Sequence, residues 1–367
     1  MVAGRSEEYA PSLKSIIPSE VPAMDRITTL DALRAETKNT KDLTRNQYVD
    51  LRDMDYKHDA DTGLHILEDK NSNETFVLQS QTALRQLCRL IKVPYAFVVK
   101  NPNYLNDGIM NFWLNRAIQG DETGAKKSKI TSTKIVRYFN SGSSKHIRAI
   151  LDEGIVPIDN SDVIETTLSS LRGDVKLDYG SGVGLDDETF HARFVLPETF
   201  DPGDGHPCQL GFHIRSSELA QGNLTLDALI FRQVCSNGAI VTYGNNSYLS
   251  TKFKDIMLED LRSIIGNCAS RMQEDMLVML AKLRHSIDFN VSNSEVRDLF
   301  GSLKHRRGLS QNFMESVEGH ALDPNISNFW QVTNTITRAA QDLNDDQRIK
   351  YEKLAGSLLS LDLPKLG

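Results

Sequence analysis

A chain of 367 residues is long enough for two or three domains and a substantial core, and its 40% hydrophobic and 25% charged residues exclude wholesale disorder. A net charge of -7 favours solubility, and four cysteines (Cys88, Cys208, Cys235, Cys268) without a CxxC pair suit reduced thiols better than a disulfide framework. No apolar run is long enough to span a bilayer, and the first residues lack a signal peptide's apolar core, so a soluble, cytoplasmic protein with no membrane partner is expected.

Residues 1–45 form an extended N-terminal arm in this reading, with Pro11, Pro18 and Pro22 and one short helix over 30–38. Two apolar runs, 63–67 and 74–78, flank the turn-rich 69–73 and predict a hairpin. Leu84, Leu87, Cys88 and Ile91 fall at helical spacing before Pro94. A second helix is predicted over 104–119, with Ile109, Trp113 and Ala117 on its apolar face. Strands follow. Phe190, Ala192, Phe194 and Leu196 alternate with His191 and Arg193, and Leu210, Phe212 and Ile214 alternate with Gly211, His213 and Arg215. Residues 224–234 are apolar on both faces and predict a central strand, ending in a tight turn at Cys235-Ser-Asn-Gly238. Beyond 251 the chain reads as helical. Met257, Leu261, Ile264, Cys268, Met272, Met276, Met279 and Leu283 mark one long amphipathic helix. Ser292-Asn-Ser-Glu295 is a capping box opening a second. Two more helices are predicted over 326–343 and 345–361. The architecture expected is α+β. A central antiparallel sheet, within a core domain over 46–250, has N-terminal helices on one side and a helical region over 251–367 on the other.

The chemistry is less distinct. Residues 126–148 carry Lys126, Lys127, Lys129, Lys134, Arg137, Lys145, Arg148 and His146 with no acid, and Tyr138 and Phe139 lie among them. Cations neutralise phosphates and aromatic faces stack on unpaired bases, so this run suits a single strand of DNA or RNA. A solvated basic loop is the plainer alternative. Lys304-His-Arg-Arg307 reads equally well as favourable charge at a helix end. His191, Arg193, His213 and Arg215 would stand side by side if their strands pair, and such a face grips phosphate or carboxylate. The plainer alternative there is a solvent-facing sheet. His206, Cys208 and His213, with Asp201 and Asp204, have ligand chemistry but no zinc-site spacing, so no metal and no cofactor is expected. Gly180-Ser-Gly-Val-Gly184 lacks the Gly-Lys-Ser/Thr of a phosphate loop and reads as a turn. No catalytic residue emerges.

Four blocks carry a family resemblance. They are Ala83-Leu-Arg-Gln-Leu-Cys88 with Ile91-Lys-Val-Pro94, Asn111-Phe-Trp-Leu-Asn115, Arg148-Ala-Ile-Leu-Asp152 with Pro157-Ile-Asp-Asn160, and Phe231-Arg-Gln-Val-Cys-Ser-Asn-Gly238. In this order they resemble a phage- and plasmid-borne family, domain of unknown function 932. The chain departs from the pattern at Asp152, where serine is usual, and at Arg215-Ser-Ser-Glu218. The resemblance implies a setting among DNA-processing genes of mobile elements and names no reaction. Together with the basic run it leads to a nucleic-acid-binding protein that coats or anneals single strands as a homo-oligomer. The alternatives are a metal-dependent enzyme acting on nucleic-acid ends or nucleotides, using Asp186 or Asp187, and a self-assembling protein that binds a host factor.

Overall fold

The computed structural model describes residues 27, 29–78, 80–100, 104–119, 133–177, 184–185, 189–201, 207–232, 237–241, 247–252, 254, 257–307, 311–321, 328–341, 343 and 345–359. Within them the protein is α+β, with two sheets.

Helix α1 (Leu30–Leu43) starts where the Thr29 side chain accepts a hydrogen bond from the Ala32 amide at 3.1 Å. It runs past its predicted end and passes directly into β1 (Thr44–Asp50). The arm boundary at 45 therefore falls inside a strand. Next come β2 (Met54–His58), β3 (His65–Asp69) and β4 (Thr75–Val77), and the predicted hairpin is β3–β4. Its turn is shaped by Asp69, whose carboxylate accepts from the Asn71 amide at 2.8 Å and the Ser72 hydroxyl at 2.9 Å.

Helix α2 (Gln81–Ile91) is capped by Ser80 and stopped by Lys92, which sits in the left-handed region at φ 62. Then follow α3 (Tyr95–Lys100), α4 (Tyr104–Gln119), β5 (Thr133–Ser141) and β6 (Ser144–Asp152). The first sheet has the order β1-β5-β6-β4-β3-β2 and is mixed, because β4 runs parallel to β6. Leu84, Leu87, Cys88 and Ile91 of α2, with Met110 and Leu114 of α4, close one face over Leu67, Phe76, Val136 and Ile147. The buried line of α4 is thus Met110–Leu114, one residue on from the predicted Ile109 and Trp113.

After α5 (Asn160–Ser169) come β7 (Lys176–Leu177), β8 (Gly184–Leu185), β9 (Phe190–Phe200), β10 (Cys208–Ser216), β11 (Leu224–Arg232), β12 (Asn237–Val241) and β13 (Leu249–Thr251). They form the antiparallel sheet expected, in the order β12-β11-β10-β9-β7, with β13 on β11 and β8 on β9. The central strand predicted from 224 is β11. The turn residues 233–236 lie outside the described residues.

Helix α6 (Leu258–Asp288) lies over this sheet, burying Leu261, Ile265, Ala269, Met272, Met279 and Leu283 against Phe190, Phe194, Phe212 and Ile214. Its apolar line was legible, but Met257 and Ile264 stand outside it, 68% and 37% exposed. Then come α7 (Asn293–Arg307), α8 (Gln311–Ala321), α9 (Phe329–Ala339) and α10 (Asp345–Leu358), which share a third core built on Phe300, Phe313, Phe329, Val332 and Tyr351. The capping box of α7 is present: the Glu295 carboxylate accepts from the Ser292 amide at 2.7 Å. The end α10 presents to the second sheet covers the face that sequence alone left polar and open.

Candidate functional site

The described part of the basic run, residues 133–148, belongs to the β5–β6 hairpin inside the first sheet. Both faces of β5 are covered, and a bulge lies between Arg137 and Tyr138. Its cations therefore point into protein. Lys134 is 2% exposed and its ammonium meets Asp152 at 2.7 Å. Arg137 is fully buried; it donates to the Ile158 and Glu218 carbonyls, each at 3.0 Å, and pairs with Asp159. Arg148 donates to the Glu218 carboxylate at 2.8 Å and to the Thr44 hydroxyl at 3.1 Å, with its guanidinium over the Phe139 ring. Lys145 meets Glu74 at 2.6 Å and lies over the rings of Phe76 and Tyr138. Tyr138 and Phe139 are buried, Tyr138 packing edge-on against Phe76. His146 is half-buried, and burial lowers its pKa. Arg137, Tyr138, Phe139 and Arg148 are thus held inside, where phosphates and bases do not reach them, and the charge of Lys134 is met by Asp152. Lys126, Lys127 and Lys129 lie outside the described residues, as do Asp186 and Asp187.

What these groups build is a buried knot between the sheets. Glu218, in the turn from β10 to β11, accepts from Arg148 and from the Asn160 amide at 2.8 Å, while its carbonyl accepts from Arg137. Burial raises the pKa of Asp159 against the opposing pull of Arg137. Ion pairs withdrawn from water require hydrogen bonds on every side, which this arrangement largely supplies. Arg148, Asp159, Asn160 and Glu218 are separated in sequence by up to 70 residues and meet in space.

The His/Arg strands pair in the expected register, His213 opposite Arg193 and Arg215 opposite His191. Their face is occupied by α10. Arg193 and Glu352 form a buried two-bond pair, which Arg348 joins at 3.1 Å. Lys353 meets Asp227 at 2.6 Å. His213 is fully buried, with Nδ1 3.8 Å from Asp227, too far for a hydrogen bond. His191 and Arg215 are half-buried at the margin.

A cleft of about 800 Å³ opens beside the knot. Its walls are the last turn of α2, the ends of β5 and β6, and the 152–155 turn. Arg89, Lys92 and Lys254 are exposed along it, and the Lys134–Asp152 pair forms part of its floor. Gln86 fixes one wall, donating to the Leu219 carbonyl and accepting from the Ile150 amide, both at 2.8 Å. Four cations line the cleft against two acids, Asp152 and Glu153. Removing the Lys134–Asp152 pair leaves Arg89, Lys92 and Lys254 facing Glu153. The α2 stripe continues outward through Arg85, whose guanidinium lies over the Tyr95 ring at 4.9 Å. Sequence reasoning passed over these cations because they are scattered at 85, 89, 92 and 254. The helical spacing of the first three was the available signal.

Among the described residues, no group of three or more His, Cys, Asp or Glu side chains is placed to hold a metal, and no helix is long and apolar enough to cross a membrane. Neither a family model, nor a curated protein, nor a solved structure matches the chain.

Proposed function

We propose that the protein binds single-stranded nucleic acid, holding its phosphates along the α2 cleft with Arg89, Lys92 and Lys254. The observation that carries this reading is the cation excess of the cleft in a chain of net charge -7. A cleft of about 800 Å³ has the size of a small-molecule site, so it encloses a short stretch of one strand and has no room for a duplex. Arg85 and Tyr95 continue the track with a cation and an aromatic ring, the pairing that suits unpaired bases. The setting implied by the family resemblance supports the same reading.

Fluorescence anisotropy with a labelled oligothymidylate tests it. Affinity should fall steeply with salt, and the triple variant Arg89→Ala/Lys92→Ala/Lys254→Ala should bind at least about ten-fold more weakly. Its log–log salt slope should be smaller by about 2, as expected from losing three phosphate contacts on a single strand. Absence of binding at low salt, or an unchanged triple variant, overturns the proposal. Coating also requires many copies side by side, so the reading includes a homo-oligomer. Mass photometry with and without the oligonucleotide reads the copy number, and a monomer in both states removes that part.

A further inference from the structure

We propose that His58 and His65 form a binding site for a divalent transition-metal ion of the zinc class. The two residues are directly opposite each other where β2 pairs with β3. Their ring centroids are 5.0 Å apart and the planes are inclined by 51°. Two imidazoles on one tetrahedral zinc ion, each nitrogen about 2.1 Å from the metal, place their centroids about 5 Å apart. The side chains therefore already stand at the separation a shared ion needs.

The nitrogens are supplied in a matching way. Nδ1 of His58 is shielded from solvent and, among the described residues, makes no hydrogen bond. A shielded ring nitrogen without a partner calls for an explanation, and ligation of an ion is one. Nδ1 of His65 is taken by the Tyr56 hydroxyl at 2.5 Å, leaving Nε2 for a metal. Metal-bound histidines characteristically have their second nitrogen held by such an outer partner, which sets tautomer and ring orientation. Tyr56 is 1% exposed and cannot swing away.

The backbone beneath the pair is also fixed. From α4, Asp107 accepts the His58 amide at 2.8 Å, and Asn111 bonds both the amide and the carbonyl of Tyr56, at 2.7 and 2.8 Å. The tight 59–63 turn is tied by Asp59, which accepts from the Asp61 amide at 3.0 Å and the Thr62 hydroxyl at 2.6 Å. Both histidines are only half-buried, and in this proposal water completes the shell. Imidazole donors select zinc, copper or nickel over magnesium or calcium. The site lies apart from the α2 cleft and stands or falls independently of it.

Calorimetric titration of the full chain with zinc chloride tests the proposal. The protein should take up one equivalent, and His58→Gln and His65→Gln should each weaken uptake at least ten-fold. Tyr56→Phe, which removes only the outer partner, should weaken it by less than either. No uptake at about 100 μM zinc, or uptake unchanged in both glutamine variants, overturns the site. Should a variant lose its far-ultraviolet circular dichroism, X-ray absorption of the zinc-loaded wild type decides. Imidazole scattering supports the pair, and a shell of oxygen alone overturns it.

Discussion

Glu218 is the residue on which the junction of the two sheets depends. Its carboxylate and carbonyl take hydrogen bonds from Arg148, Arg137 and the Asn160 amide, which belong to β6, β5 and the start of α5 respectively. Glu218→Ala leaves a buried guanidinium without its counter-charge and should cost about 3–5 kcal/mol, measured by urea unfolding. The second residue with a defined signature is His213. Burial, the largest influence, holds its pKa at about 4, below the ordinary 6.5. A histidine that must stay neutral when folded contributes stability fully above pH 6.5 and loses it as the pH falls toward 4. That loss should amount to about 3 kcal/mol between pH 7.5 and 4. His213→Phe should flatten this part of the stability–pH curve, and an unchanged curve refutes the assignment. The fate of the basic run shows what a sequence conceals at this scale. A charge count cannot tell an arginine facing solvent from one tied to a carboxylate far along the chain. A signal existed nonetheless: Ile135, Val136, Tyr138 and Phe139 are apolar on both parities of the strand, the pattern of a strand covered on both faces.

Elements with strong periodicity and local punctuation were legible. The apolar spacing of α2, the capping box before α7 and the turn residues of the β3–β4 hairpin act within a few residues, so sequence alone reveals them; the Ser80 cap of α2 was missed. Ser80 does double duty, accepting from the Ala83 amide at 2.9 Å and donating to the Arg148 carbonyl at 2.7 Å. Ser80→Ala should therefore cost about 1–2 kcal/mol, at the upper end for a cap, as a drop in the urea midpoint. Elements whose identity depends on distant partners were not legible. The parallel pairing of β4 with β6, the short α5 and α8, and the cover that α10 places over Arg193 and His213 arise from tertiary contacts. The same holds for the α2 cleft. Its cations are visible in sequence, but the fourth, Lys254, joins them only through the bridge between Ile155 and Lys254.

At the scale of the molecule, the division at 250 separates segments that the fold joins. The second sheet buries one face under α6 and part of the other under α10. A fragment ending at residue 250 would expose Phe190, Phe194, Phe212 and Ile214 to water. It should be recovered insoluble, or should bind a hydrophobic dye as a loosely packed state does. A soluble, dye-silent fragment would contradict this.

The separateness of the cores has a thermal consequence. One core lies between the first sheet and α2 with α4, and another between the second sheet and α6. Between them stand the Glu218 knot and a small apolar group of Ile135, Ala149, Leu151 and Leu219. Cooperativity spreads through shared apolar packing, and this junction offers little of it. The protein should therefore melt as more than one calorimetric unit, with a van't Hoff enthalpy well below the enthalpy absorbed. Glu218→Gln, which removes the counter-charge of Arg148, should drive these transitions further apart, because it loosens the joint between the cores and leaves the apolar packing of each one intact.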